Sequence, residues 1–128
     1  RHIAPMLYSP QGKILFYQDT DGSCPVIDFL LGESPQVQQL AQSRIALLAE
    51  HGHRLHWPHA DYLGEHLYEL RWHVRRVQYR LLYAFHGTIV LLHACTKEQA
   101  IERTDLNRAQ RRYRQFVQNP NAHTKRFT

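Results

Sequence analysis

The sequence predicts an α+β domain: a small antiparallel β-sheet with an N-terminal helical hairpin and a C-terminal helix, in the order β-α-α-β-β-β-α. Three observations predict it. Residues 67–97 run through aromatic, β-branched and polar side chains in three segments broken at Arg75-Arg76 and His86-Gly87, the pattern of consecutive antiparallel strands. Before and after them lie stretches whose apolar side chains recur at helical spacing. The 128 residues, 43% of them hydrophobic, suffice for one domain with a single modest core.

In chain order, residues 1–5 precede Met6, the single methionine, and read as leader residues; the domain is expected over residues 6–118. Residues 13–18 (KILFYQ) form a first strand, ended by the turn-rich run Asp19-Thr20-Asp21-Gly22-Ser23. Pro25 then opens a short helix that Gly32 stops, since proline is tolerated at the first helical position. Ser34 caps a longer helix, again with proline first, that runs to Glu50 or His51 and ends at Gly52. Its stripe is Val37, Leu40, Ala41, Ile45 and Leu48. The two helices are expected as a hairpin lying on one sheet face.

Residues 52–66 read as a loop, because Pro58 and Gly64 interrupt any period. After the three strands, Thr104 and Asp105 mark the start of the last helix, with an acid near the positive end of its dipole. Leu106, Ala109, Tyr113, Phe116 and Val117 make its apolar stripe, while Arg108, Arg111, Arg112 and Arg114 form a basic face that either meets solvent or touches RNA. Asn119-Pro120-Asn121 ends the helix, and the rest of the 119–128 segment reads as a frayed tail.

Two-residue turns at both breaks set Arg71 opposite Arg80, and Arg80 opposite His93. Directly opposed residues share a face. That face carries Glu69, Arg71, His73, Gln78, Arg80, Leu82, Ile89, Leu91, His93, Cys95 and Lys97. The other face, with Leu70, Trp72, Tyr79, Leu81, Tyr83, Val90 and Leu92, is the core. Stacked cations oppose folding unless an anion answers them, and phosphate is the candidate. The alternative is that Arg71 and Arg80 extend into solvent, paired with Glu69 and other acids.

A net charge of +5 with ten histidines suits an anionic partner such as nucleic acid without identifying it. Cys24 and Cys95 have no metal spacing and read as reduced structural thiols of a cytoplasmic protein. No apolar run approaches a membrane span. His51, His53, His56, His59 and His66 crowd the loop region, yet they match no zinc-ligand spacing, and no metal or cofactor is expected.

The words ILFYQDTDGSCPVIDFLLGESP (residues 14–35), LYELR (67–71), YRLLY (79–83) and VLLHACTKE (90–98) together resemble the RelE/HigB superfamily of bacterial toxins, in its phage-derived HigB-like branch. The resemblance implies a small α+β toxin encoded beside a helix-turn-helix antitoxin protein. It implies metal-independent cleavage of mRNA in the ribosomal A site, by attack of the 2′-hydroxyl on the adjacent phosphate. Carried over to this chain, Arg80 of YRLLY stands at the scissile phosphate, Lys97 is the basic residue after the last strand, and His93 is the motif histidine. Arg71, with His73, is expected to hold the substrate. Glu98 stands where a second lysine is frequent in that branch. The competing expectation is a non-catalytic RNA- or ribosome-binding module, or a degenerate toxin, on the same fold; a metal-dependent enzyme built on the loop histidines is the third.

Overall fold

A computed structural model of the chain describes residues 14–97 and 101–127. Residues 1–5, expected as a leader, together with Met6, Lys13 and Glu98, lie outside the described residues. The elements are β1 (Ile14–Phe16), α1 (Pro25–Leu31), α2 (Pro35–His51), a 3₁₀ turn (Gly52–Arg54), β2 (Ala60–Gly64), β3 (Leu67–Val74), β4 (Val77–His86), β5 (Thr88–Thr96) and α3 (Arg103–Gln118). The fold class is α+β, as expected, but the five-stranded sheet is mixed. Its order is β1-β5-β4-β3-β2, and β1 runs parallel to β5. The helical pair between β1 and the other strands carries the chain back across the sheet, which makes a parallel neighbour possible.

The helix ends follow the sequence signals. Ser34 Oγ accepts from the Val37 N–H at 3.3 Å and Pro35 stands first in α2. At the other end Gly52 adopts φ 55°, a left-handed conformation that costs glycine little. Gln38 is buried and its Nε2 donates to the Leu30 and Glu33 carbonyls, tying α2 to the end of α1. α3 begins slightly ahead of expectation, with Glu102 at its cap and Asp105 in its first turn.

The sheet is covered on both faces. Val26, Leu30, Val37, Ala41, Ile45 and Leu48 from α1 and α2 pack on Leu70, Trp72, Tyr79, Leu81, Tyr83, Ile89 and Leu91. On the other side Ala109 and Phe116 of α3 pack on Leu67, Leu82, Ala84, Val90 and Leu92. Three expectations are corrected here. The hairpin after β4 pairs His86 with Thr88 around Gly87 (φ 73°), and a bulge shifts the register again between Leu82 and Tyr83. A one-residue shift moves every side chain to the opposite face, so Ile89 and Leu91 belong to the α1/α2 core while Val90 and Leu92 face α3. Arg80 therefore pairs with Cys95, and His93 with Leu82. Leu82, Ile89 and Leu91, placed by the sequence on the face opposite the core, are buried, at most 5% exposed.

The second correction is β2, an antiparallel edge strand inside the segment read as a loop. It closes onto β3 through Glu65 and His66, both at positive φ, a two-residue hairpin turn without the usual Asn or Gly. The third is the C-terminal segment, which returns to the sheet instead of fraying. Tyr17 bridges Thr124, the Gln18 N–H donates to the His123 carbonyl, and the Lys125 N–H donates to Phe16. No described helix is long and apolar enough to cross a membrane.

Candidate functional site

β3 and β4 pair in the expected register, with Arg71 opposite Arg80. Beyond the bulge, β5 completes three rungs on the α3 face of the sheet. The first holds Glu69, Leu82 and His93; the second holds Arg71, Arg80 and Cys95. The third holds His73 and Gln78, and the Lys97 N–H donates to the Gln78 carbonyl at 3.1 Å. Strands are spaced by about 4.8 Å, so Arg71, His73, Arg80, His93 and Lys97 gather on one patch of the sheet, although Arg80 does not face His93 directly.

Their charges are answered by carboxylates. Arg80 is buried, and its Nη1 donates to Glu69 Oε1 at 2.8 Å. Arg71 is more open; its Nη1 lies 3.6 Å from Glu69 Oε2, and its Nη2 donates to the Pro58 carbonyl at 3.4 Å. Lys97 Nζ, a quarter exposed, sits 3.1 Å from Glu102 Oε1 and 3.4 Å from Asp105 Oδ2. The bond to Glu102 and the field of Asp105 raise the Lys97 pKa, so the ammonium stays protonated at neutral pH.

His93 is held at both ring nitrogens. Nε2 lies 2.8 Å from Asp105 Oδ1, and Arg112 Nη1 lies 2.8 Å from Nδ1. A guanidinium only donates, so Nδ1 is the acceptor and the proton resides on Nε2, donated to Asp105. Burial lowers the His93 pKa, Asp105 opposes that, and Arg112 reinforces it; the net shift is downward. Burial alone would raise the Asp105 pKa, but the His93 hydrogen bond and Lys97 outweigh it and keep the carboxyl below its ordinary range. Cys95, enclosed at the centre, has its thiol pushed up to about 12 by burial and is a poor nucleophile.

His93 Nε2, Cys95 Sγ and a carboxylate oxygen of Asp105 lie within 4.8 Å of one another, which raises the question of a metal. The donor set argues against one. A histidine that ligates through Nε2 must carry its proton on Nδ1 and needs an acceptor there, whereas Arg112 presents a donor.

The pairing of Arg71 and Arg80 with Glu69 was the alternative read from the sequence, although Arg80 is buried rather than in solvent. Sequence reasoning did not assign Asp105 as the partner of His93 and Lys97, or Arg112. Glu69 was legible in part, since it stands two positions before Arg71 on one strand face. Asp105 was visible only as a helix-start acid. Ala109 and Phe116 dock α3 on the sheet, and that docking also lays its first turn against His93 and Lys97, which the spacing of the helix does not declare.

The chain is thus a small α+β domain with helices on both faces of its sheet and a buried, cation-rich polar cluster beneath the last helix. A model of the phage-derived Gp49-like proteins (DUF891) matches residues 28–114. The chain belongs to that family, which is toxin–antitoxin related and RelE-like. The family is associated with toxin endoribonuclease activity, and membership implies an antitoxin partner. No curated protein matches the chain.

Proposed function

We propose that this protein is the toxin of a toxin–antitoxin module, of the HigB-like branch, and that it cleaves mRNA on the ribosome without a metal. The observation that carries the reading is the patch of Arg71, Arg80 and Lys97 on adjacent rungs of one sheet face. Family membership supplies the prior. The partners are then mRNA in the A site and a helix-turn-helix antitoxin, and the compartment is the cytoplasm.

In this mechanism the 2′-hydroxyl gives its proton to water and attacks the adjacent phosphorus, the bond to the 5′-oxygen breaks and that oxygen takes up a proton, leaving a 2′,3′-cyclic phosphate and a 5′-hydroxyl. Negative charge builds on the non-bridging oxygens. Arg71 and Lys97, the more exposed cations, meet the phosphate first, and Arg80 stands behind them with paired donors. Lys97 stabilises charge or protonates the leaving oxygen; held protonated by Glu102 and Asp105, it does not serve as the base. His93 contributes through Asp105, which it orients, since both its ring nitrogens are engaged. His73, exposed at the end of the third rung, holds flanking substrate. Carboxylates tied to cations are weak bases, so most of the rate comes from positioning and charge stabilisation, part of it supplied by the ribosome.

One observation favours a second reading, a binding module that grips RNA without cutting it: Arg80 and Lys97 already hold carboxylate partners. Mapping mRNA 5′ ends after induced expression in bacteria separates the two. The nuclease gives growth arrest and codon-phased new ends that vanish in Arg80→Ala. A binding module gives none.

A further inference from the structure

β2 pairs β3 as far as Leu70, and the Arg71 N–H still donates to the His59 carbonyl at 2.9 Å. Beyond that point the edge of β3 faces a cavity of about 300 Å³, closed on the far side by α2 and by the chain at Pro58 and His59. Arg44, His59, Arg71 and His73 line it, with Trp72 at its wall. The lining contains no carboxylate, which sets it apart from the patch of Arg71, Arg80 and Lys97, where each cation has an acid beside it. Arg44 makes no ion pair among the described residues. Its Nε is a buried donor with no hydrogen-bond partner, and so is Trp72 Nε1. Orphaned buried donors are costly and uncommon, and both of these belong to residues that line one basic cavity.

Resting on the reading of the chain as an RNA-acting toxin, we propose that this cavity is a second phosphate subsite, which takes the backbone phosphate next to the one at the Arg71–Arg80–Lys97 patch. Arg71 belongs to both places: it forms an ion pair with Glu69 in the cluster and lines the cavity. An RNA strand that passes the Arg71 side chain and enters the cavity meets Arg44, His59 and His73 with its neighbouring phosphate. Arg44 offers the guanidinium fork that suits such an oxyanion. The subsite reads backbone and not base, so it fixes the position of the strand without sequence preference.

The chain has two tryptophans, of which Trp72 belongs to the cavity wall, so its indole N–H signal serves as the probe; Trp57→Phe assigns it. The probe is a 2′-O-methyl RNA hexamer, which the proposed chemistry cannot cleave. The subsite predicts a saturable shift of the Trp72 indole signal on titration. Arg44→Glu should weaken hexamer binding about tenfold or more, as expected for a lost charge-assisted hydrogen bond. The slope of log affinity against log salt should fall by about 0.7, and Arg44→Lys should recover part of the loss. Arg44 is only half-buried on α2 and Glu and Lys are good helix formers, so dispersed spectra will confirm folding. A stationary Trp72 signal at saturation, no hexamer binding, or wild-type affinity in Arg44→Glu overturns the subsite. Absent mRNA cleavage with the Trp72 shift intact would sink the nuclease reading alone; cleavage with a stationary Trp72 signal would sink the subsite alone.

Discussion

His93 Nε2 donates to Asp105 Oδ1 across 2.8 Å, from the sheet to the first turn of α3, while Arg112 from the same helix caps the other ring nitrogen. This contact locks the last helix over the cation patch and fixes the histidine as a neutral donor. A proton added to Nδ1 would meet the Arg112 donor head-on.

Stability should therefore fall on acidification through His93. Its folded pKa lies below the ordinary 6.5, so below about pH 6.5 the unfolded chain takes up a proton that the folded chain refuses. The stabilisation is full above that pH and is lost as pH drops toward the folded value. Asp105, whose folded pKa is also depressed, adds a further loss as pH falls through the carboxylate range. Melting temperatures from pH 7.5 to 5 should decline in the wild type and decline less in His93→Gln; parallel curves would contradict the tautomer assigned here.

Arg80→Ala should not be structurally silent. It strands Glu69, which is 3% exposed, and breaking a buried ion pair costs about 3 kcal/mol, softened here by the nearby Arg71. Arg80→Lys keeps the charge and should cost clearly less. Urea unfolding checks both. An alanine variant as stable as the wild type would mean that Glu69 and Arg80 do not pair in solution.

Lys97→Glu would set a third carboxylate beside Glu102 and Asp105, so it should lower the melting temperature as well as remove cleavage. Lys97→Gln relieves that repulsion and should melt near the wild type while still cutting poorly. The comparison, by thermal melting and ribosome-bound mRNA cleavage, isolates the charge at the site from the docking of α3. Wild-type cleavage by Lys97→Gln would remove Lys97 from the chemistry.

Truncation after Gln118 should destabilise the fold by about 2 kcal/mol, from lost backbone hydrogen bonds and an aromatic stack. The bonds are those of Gln18 with His123 and of Lys125 with Phe16, and His123 stacks on Tyr17 at 5.3 Å. Urea unfolding of the truncated chain measures it; an unchanged midpoint would restore the frayed tail.

Local signals in the sequence located most elements. Ser34-Pro35 and Gly52 set α2, and the alternation through residues 67–74 set β3 together with its Arg71–Arg80 pairing. What the sequence hid is non-local. The hairpin closes one residue tighter than expected, pairing His86 with Thr88, and so reversed the faces of Ile89 to Leu92; the bulge near Leu82, with no glycine to mark it, then returned His93 and Cys95 to the expected face. β2 is five residues long and turns at Glu65-His66, which lack ordinary hairpin chemistry. At the site, the five expected residues lie on one patch, whereas their burial and their pairing with Glu69 and Asp105 depended on where α3 docks. Alternation gives the face a side chain takes, and only packing decides what covers it.

The central claim is that the patch of Arg71, Arg80 and Lys97 promotes attack by a 2′-hydroxyl on its own phosphate. Its most direct test is the chemical identity of the 3′ end left on ribosome-bound mRNA by purified protein in the presence of EDTA. The account expects a 2′,3′-cyclic phosphate, formed undiminished with chelator and lost in a folded Arg80→Lys variant. A 3′-hydroxyl end, cleavage abolished by EDTA, or full activity without the Arg80 guanidinium would contradict it.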